Sequence, residues 1–346
     1  METDTTRDTF LTPMNIGDLE YRVYSDLSEI AGIGRQWDDL LKRSSCNRAF
    51  GSLEWYLASC RIQSSLKPYL VTAALRQEWT CVLPLALDPQ TGIAVFPHLE
   101  NDYNDAPVRG HNPSTLAGLL QHALFEGTAC RQIRLAKLRP DSQCAQAGAL
   151  LNSNVRIEYR SRDMKLYRFI SLPPTFDDYL ASRGKLFRRN VRRALRNDDE
   201  NGLVIREVHP HDLPPLELPE VFLQLILDRH RTKCAFDDAQ AQSFVREVLP
   251  AIFSRGSLRA FAMLNQSKIV AIDLYLSACN GLVAWNGGFS AEVERRSPGT
   301  ALIAFAIQQA IAMGLEELDF GEGEEVYKQN WSNSSYTVRE LDIIKR

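Results

Sequence analysis

The sequence of 346 residues lacks the patterns that mark several large classes of protein. Its start, METDTTRDTF, has no basic segment followed by an apolar one, which is the pattern of a secretory signal. The longest uncharged stretch, residues 299–315, is too short to cross a bilayer and contains two glutamines. From these absences we expect a cytoplasmic protein without a membrane span.

Cysteine and histidine are too sparse and too scattered for several kinds of chemistry. The seven cysteines contain no C-x-x-C pair, which fits free thiols better than a disulfide framework or a zinc site. The six histidines form no H-E-x-x-H motif, so we expect no metal cofactor. The sequence also has neither a Gly-x-Ser-x-Gly elbow nor a Walker loop.

Charge is also balanced, with a net charge of −3 and a pI near 6.1. This balance argues against a protein coated in nucleic acid, although it allows a local basic surface. The apolar fraction of 45% and the charged fraction of 24% are ordinary for a soluble globular protein. The length predicts two domains.

Periodicity in the first half predicts a series of strands, then a helix, then a further strand. Strand patterns occupy residues 69–75, 80–87 and 93–99, and each is separated from the next by a turn. A Pro/Asn-rich loop leads to a helical pattern at residues 114–127, and residues 130–138 read as a strand.

The second half repeats this order. The corresponding elements are strands at 258–264, 269–278 and 282–289, a helix at 300–314 and a strand at 315–320. Asn280-Gly281 predicts a type I′ hairpin turn, and Gly314 predicts a left-handed residue at the end of the helix. The chain therefore contains two copies of one α/β unit.

Helices are expected before each series of strands. Their patterns cover residues 28–43, 52–60, 174–196, 217–233 and 239–256. Residues 160–174 read as a strand that passes from one copy into the other. We therefore divide the chain into an N-terminal domain at 1–165 and a C-terminal domain at 166–346.

The stretch from Arg295 to Ala301, between a strand and a buried helix, is the most informative motif. A helix N-terminus presents unpaired N–H groups and the positive end of the helix dipole. Gly299 lets a phosphate approach the backbone, and Arg295 and Arg296 add positive charge. The motif indicates a phosphate site, and the alternative is a plain turn with solvated arginines.

A second basic feature lies on the helix that follows the first copy. One helical stripe consists of Lys185, Arg188, Arg189, Arg192, Arg193 and Arg196. Like charges at this spacing repel one another, so an anion against the stripe would relieve the repulsion. The candidates are a phosphorylated acceptor, the nucleotide end of coenzyme A, or RNA, and the alternative is a solvated face.

Arg296-x-x-Gly299-x-Ala301 resembles the Arg/Gln-x-x-Gly-x-Gly/Ala pyrophosphate loop of the GNAT superfamily. The wider stretch from Trp285 to Trp331 resembles the C-terminal half of the FemAB-like acetyltransferases, often labelled CelD/BcsL-type. This resemblance implies tandem GNAT-like units, each a mostly antiparallel sheet flanked by helices. It also implies acyl-CoA as co-substrate, bound by Arg295, Arg296, Gly299, Thr300 and Ala301.

The loop of the first copy, residues 98–118, departs from this pattern because it has no Arg-x-x-Gly-x-Ala. We infer that the first copy has lost donor binding. Asp102, Tyr103 and Asp105 of this loop are then candidates to face the acceptor across the domain interface. The alternative is a polar loop with ordinary turn residues.

Transfer of an acyl group from a thioester to an amine requires a base for the ammonium and an acid for the thiolate. The segment after the last repeated strand offers Glu322 and Glu324 as bases and Tyr327 as the acid. Asp273, inside an alternating strand, ranks behind the two glutamates as a base.

Two further residues of the same segment, Lys328 and Trp331, are assigned to the acceptor. The sequence thus predicts an acyl-CoA-dependent N-acyltransferase that acts on an amine of a small molecule, sugar or amino acid. One alternative is a FemX-like transferase that takes its donor from aminoacyl-tRNA, with Arg189 and Arg193 on the tRNA. Another is a non-catalytic binding module of the same fold.

Overall fold

We describe the protein from a computed structural model, which describes residues 19–346 except 47, 98, 100–101, 127–128, 200–201 and 230–233. The first half contains β1 Glu20–Tyr24, α1 Leu27–Gly32, α2 Gly34–Leu41, α3 Leu53–Ile62, β2 Lys67–Leu75, β3 Glu78–Asp88, β4 Ile93–Val95, α4 Pro113–Phe125, β5 Gln132–Leu138, α5 Gln143–Leu150 and β6 Ile157–Ser171. The second half contains α6 Phe176–Ala181, α7 Lys185–Asp199, β7 Leu203–Val208, α8 Leu218–Arg229, α9 Ala239–Ser254, β8 Leu258–Asn265, β9 Lys268–Ser277, β10 Gly281–Phe289, α10 Pro298–Ala312, β11 Glu317–Glu322, α11 Val326–Trp331 and β12 Ser334–Lys345.

The strands form one sheet in the order β1-β2-β3-β4-β5-β12-β6-β11-β10-β9-β8-β7. Neighbouring strands are antiparallel except for two parallel pairs, β4 with β5 and β10 with β11. Each half therefore has a mostly antiparallel sheet flanked by helices, and the predicted α/β fold of two repeated units is confirmed.

The two halves exchange their last strands at the centre of the sheet. β6, which ends the first half, pairs with β11 of the second half, and β12, which ends the chain, pairs with β5 of the first. β6 and β12 also pair with each other over most of their length. The proposed boundary between residues 165 and 166 thus divides the repeat in sequence but falls inside β6.

Apolar cores cover both faces of the sheet. One core joins α8 and α9 to α3 of the first half through Trp55, Phe244 and Trp285. On the other face, α4 and α5 pack over the first half and α10 packs over the second. Since the central core contains residues from both halves, the halves form one folded body.

Two predicted helices are each broken into two. The helix predicted at 28–43 is interrupted at Ile33, which lies between two glycines, and the helix predicted at 174–196 is interrupted at 182–184, where Gly184 disfavours continuation. The predicted extension of α8 through residues 230–233 lies outside the described residues.

The hairpin between β9 and β10 is present, but the type I′ prediction for Asn280-Gly281 is wrong. That turn needs positive φ at both residues, and neither is among the residues with positive φ. Instead, Gly281 begins β10, and the Asn280 carbonyl accepts from the amide of Glu316 at 2.8 Å. Gly314, by contrast, has the predicted left-handed conformation, with φ of 70°.

Candidate active site

The main cleft lies where β10 and β11 separate. These parallel strands are in register for three residue pairs, from Gly281 with Glu317 to Val283 with Asp319. Beyond that point β10 continues beside β9 and β11 continues beside β6. A cleft of about 630 Å³ opens between the parted strands, lined by both of them and by the start of α10.

The N-terminus of α10 forms one wall of this cleft. Ser297 precedes the helix in the left-handed conformation, with φ of 58°, and its side chain makes no capping hydrogen bond. Ser297, Gly299 and Thr300 line the cleft, and a Cβ placed on Gly299 would meet no atom within 4 Å. The helix end therefore has room for a ligand at the predicted phosphate position.

The other residues of the predicted donor motif surround this helix end without lining the cleft. Arg295 and Arg296 lie in a 3₁₀ helix, Ala291–Arg296, directly before Ser297, and Arg295 is exposed while Arg296 is half-buried. Ala301, in the first turn of α10, is fully buried. The two arginines thus stand at the rim, and Ala301 supplies the small side chain on which the helix packs.

Asp273 on β9 lines the cleft, and Gly287 on β10 makes room for it. The two residues are paired in register, and a Cβ on Gly287 would lie 1.8 Å from Asp273 Oδ1. Arg229, at the end of α8, donates from Nη1 to the Gly287 carbonyl at 2.7 Å. Burial raises the pKa of Asp273 to about 7, against the opposing effect of the Arg229 charge.

Tyr327 and Lys328 enter the cleft from α11. The Tyr327 ring meets the edge of Phe320 at a centroid distance of 6.3 Å. Burial, and then the nearby charge of Glu325, raise the pKa of Tyr327 to about 12, so its phenol stays protonated at neutral pH. Lys328 is buried and donates to the carbonyl of Glu322, with Glu325 Oε2 at 3.5 Å.

Asp102 crosses from the first half to line the same cleft. Its carboxyl group lies against Gly321, where a Cβ would be 2.7 Å from Asp102 Cγ, and Tyr167 donates to its main-chain carbonyl. Burial, and then the charge of Asp319, raise the pKa of Asp102 to about 7. The cleft is therefore built by both halves, as the sequence predicts for Asp102.

The other two loop residues assigned to the acceptor lie elsewhere. Tyr103 and Asp105 line a separate cavity of about 290 Å³ with Arg139 and Glu317. Asp105 accepts from the amides of Ala106 and Cys144, at 2.9 and 3.1 Å, which ties it to the structure of the first half.

Glu322 and Glu324, the bases first favoured from sequence, do not line the cleft. Glu322 forms an ion pair with Lys165 on β6, and Glu324 is largely exposed, with Arg168 at 3.7 Å. The carboxylate of this segment that does line the cleft is Glu325. The expected shared face fails because Gly323, with φ of 129°, turns the chain between the two glutamates.

Trp331, the last residue assigned to the acceptor, is almost fully buried and lines the cleft. Arg189 and Arg193 are exposed on α7, which packs against α10 and against the 3₁₀ helix that carries Arg295 and Arg296. The basic stripe is thus a neighbour of the cleft and not a part of its lining.

Sequence reasoning missed Arg229 and Gly287. For Gly287 a signal was available, because two adjacent glycines inside an apolar strand indicate close approach of another group. Arg229 carries no such signal, since it is one charged residue at the end of an amphipathic helix. Among the described residues, no group of three or more His, Cys, Asp or Glu side chains could hold a metal, and no helix could span a membrane.

Comparison with known proteins identifies the class of domain that contains this cleft. Residues 185–329 match the family model for an acetyltransferase (GNAT) domain, and this stretch includes β10, α10 and β11. No curated protein matches the sequence.

Solved structures share the fold over nearly the whole chain. FemX is similar with a TM-score of 0.64 and 12% identity, covering 94% of this chain and 97% of FemX. L-PGS from Bacillus licheniformis has a TM-score of 0.58 and 11% identity, covering 92% and 91% of the two chains. The C-terminal domain of a putative lysylphosphatidylglycerol synthetase from Agrobacterium fabrum has a TM-score of 0.56 and 13% identity, covering 91% and 92%. These likenesses concern the fold alone. The match to an acetyltransferase (GNAT) domain, which covers residues 185–329 in the second half, supports acyltransferase activity in general.

Proposed function

We propose that the protein is an acyl-CoA-dependent N-acyltransferase whose reaction takes place between β10 and β11. The observation that carries this proposal is that the open end of α10 and the carboxyl group of Asp273 face the same cleft. When the pyrophosphate of acyl-CoA lies on the helix end, its thioester extends into the gap between β10 and β11 and reaches Asp273 on β9. The match to an acetyltransferase domain over residues 185–329 supports the same chemistry.

Donor binding rests on the helix end. The amide of Gly299 receives the pyrophosphate, with the helix dipole favouring its negative charge, while the amide of Thr300 donates to the Ser297 carbonyl at 3.0 Å. Arg295, which is exposed, and Arg296, which is half-buried, add positive charge beside the helix end for a bound nucleotide. Ala301 keeps the helix close to the sheet because a larger side chain would not fit its fully buried position.

Asp273 is the base in this proposal, ahead of Glu322 and Glu324. A base acts best when its pKa lies near the working pH, and burial gives Asp273 a pKa of about 7. The acceptor ammonium gives a proton to Asp273, and its nitrogen attacks the thioester carbonyl. The C–N bond forms, the C–S bond breaks, and Tyr327 protonates the departing thiolate. The second proton that the nitrogen loses as it becomes an amide returns to the Tyr327 phenolate.

Binding of coenzyme A tests the donor assignment without reference to an acceptor. By calorimetry we expect wild-type protein to bind coenzyme A, and Arg296→Ala to weaken this binding by about 1–3 kcal/mol, the range for hydrogen bonds to charged groups. Arg246→Ala, which removes an exposed arginine paired with Glu220 on another helix, is the matched control. Absence of binding by the wild type, or equal binding by both variants, would refute the assignment.

A second candidate function is transfer from aminoacyl-tRNA, as a FemX-like enzyme. It is favoured by the exposed basic face of α7 beside the cleft and by the fold shared with FemX. Under this alternative, Arg189→Glu combined with Arg193→Glu weakens tRNA binding and reduces its salt dependence. The acyl-CoA proposal predicts instead that wild-type protein binds coenzyme A, and that tRNA does not compete for it.

A further inference from the structure

The cleft contains two cations that transfer to a simple amine does not require. Lys328 is 7% exposed and lines the cleft, yet its ammonium donates to one backbone carbonyl and has Glu325 only at 3.5 Å. An ammonium has three donors, and a buried charge is costly unless its hydrogen bonds are made. Lys328 therefore retains hydrogen-bonding capacity inside the acceptor side of the cleft.

Arg229 is the second cation, and it reaches the cleft from the end of α8, beside β9 and β10. Its guanidinium bonds to the Gly287 carbonyl and lies 5.5 Å from the centroid of the Phe289 ring. Five N–H donors are present in a guanidinium, so these contacts hold the group while leaving donors for a ligand. Each cation has a carboxyl group near it, since the charge of Arg229 lowers the pKa of Asp273 and the charge of Lys328 lowers the pKa of Asp102.

Two cations and four carboxyl groups, those of Asp102, Asp273, Glu294 and Glu325, thus line the cleft. Arg229 lies near Asp273, and Lys328 lies near Asp102 and Glu325. A small ammonium bound at Asp273 would be repelled by Arg229, which lies near that carboxyl group, and would leave the hydrogen bonds of Lys328 incomplete. An acidic group on the same acceptor removes this repulsion and completes the hydrogen bonds of Lys328. Aromatic walls from Trp285, Phe289 and Trp331 leave the remainder of the acceptor in an apolar space.

We propose that the acceptor is an amine that also carries an acidic group, of the amino-acid type, with its ammonium at Asp273 and its acidic group at Lys328. This inference rests on the proposed function and narrows its acceptor. In the reaction, Lys328 positions the acceptor through the acidic group and takes no part in proton transfer. Loss of Lys328 is then expected to act on acceptor affinity much more than on the chemical step.

The first experiment identifies the chemical class of the product. Wild-type protein is incubated with isotope-labelled acetyl-CoA and the small-molecule fraction of a cell extract, and labelled amides are identified by mass spectrometry. We expect the labelled product to contain a carboxylate, phosphate or sulfate near the new amide. A labelled product without an acidic group would overturn the inference alone. Bound acetyl-CoA with no labelled product would overturn the proposed function together with it.

The second experiment tests the role of Lys328 with the acceptor so identified. Lys328→Met should raise the acceptor KM at least tenfold while kcat changes little, and Lys165→Met, on a lysine outside the cleft, is the matched control. Esterification of the acceptor's acidic group should lower kcat/KM at least tenfold with wild-type protein. With Lys328→Met, which already lacks the ammonium, the same esterification should lower kcat/KM only a little. Equal losses in both proteins would overturn the inference. If Lys328→Met does not fold, the ester comparison on wild-type protein decides.

Discussion

In the first half, β4 and β5 run parallel and pair at three residues, from Ile93 with Gln132 to Val95 with Arg134. In the second half, β10 and β11 pair over three equivalent residues before they part. Both halves therefore start from the same splayed geometry, yet a large cleft lies in only one of these two gaps. The difference comes from what the chain does next.

In the second half β10 stays paired with β9 from Ala284 to Phe289, with a single bulge at Trp285. In the first half β4 ends at Val95, and the chain returns to the sheet where Val108 bridges to Cys81, so the equivalent segment is longer. Within this longer segment the amide of Asn104 bonds to the Lys137 carbonyl at 3.0 Å, and its side-chain nitrogen bonds to the Ala136 carbonyl at 3.0 Å. The backbone itself thus closes the gap, and a crevice of about 20 Å³ remains beside it.

The helices that follow these strands, α4 and α10, also differ in how their N-terminal ends are capped. Asn112 caps α4, because its side chain accepts from the Thr115 amide at 3.1 Å and its own amide donates to Gln143 at 2.7 Å. Ser297 makes no such bond at α10. A side chain therefore caps α4, whereas at α10 the amides of Thr300 and Ala301 bond only to the Ser297 carbonyl.

The segment that closes the first gap also contributes to the second, since it carries Asp102 into the cleft of the other half. The same longer segment therefore fills the gap of the first half and supplies a residue to the cleft of the second. The comparison teaches that a local backbone difference can fill the gap of a repeated unit while its strands keep their register. The following predictions test how far the two halves depend on each other.

The largest effect is expected from removal of β12. A chain that stops after Asn333 loses the strand that pairs with both β5 and β6, and with it the buried side chains Val338, Leu341 and Ile343. We expect no cooperative unfolding transition by circular dichroism, because both halves are left with an exposed edge inside the sheet. Deletion of Arg346 alone, which follows β12, is the control. A truncated chain that unfolds cooperatively would mean that the halves are independent.

A large effect on activity, without an effect on folding, is expected at Asp273. In the register of the first half Leu83 takes the corresponding place, so the charge is particular to the open cleft. Asp273→Asn should lower kcat by about 10²–10⁴, the usual contribution of general acid–base catalysis, while coenzyme A still binds. Glu324→Gln is the control, and we expect it to retain most of the rate.

The pH dependence follows from the same residue. A base must be deprotonated to act, and the pKa of Asp273 is raised to about 7, so kcat/KM should rise with pH through a midpoint near 7. Arg229 opposes that rise in pKa, and Arg229→Met should therefore move the midpoint to higher pH. A midpoint near the usual carboxylate range would exclude Asp273 and return the role to Glu322 or Glu324.

Much of this arrangement could be predicted from local sequence. Alternating apolar residues located the repeated strands, and the stretch from Arg295 to Ala301 located the start of α10 at the wall of the cleft. These features depend on neighbouring residues in the chain, which is why periodicity and glycine placement reveal them.

The order of the bases could not be predicted in the same way. Asp273 is half-buried opposite Gly287 in the strand register, and that pairing is known only once β9 and β10 are aligned. Glu322 is drawn away by Lys165 on β6, a strand that reaches β11 only through the exchange between halves. No local pattern encodes that exchange, because it is decided by packing at the centre of the sheet.

The smallest effect compares the two helix ends with one matched substitution. Asn112→Ala should lower the free energy of unfolding by about 1 kcal/mol, the typical value of a helix N-cap, because the Thr115 amide loses its partner. Ser297→Ala removes no capping bond, so its cost should stay within about 0.5 kcal/mol. Denaturant unfolding of both variants without ligand measures the difference. Coenzyme A should then stabilise both variants as it stabilises the wild type, because the backbone at Gly299 is unchanged in each. Equal losses in the two variants would mean that Ser297 does cap α10 in solution, and a helix end already satisfied in this way would not offer its amides to a pyrophosphate.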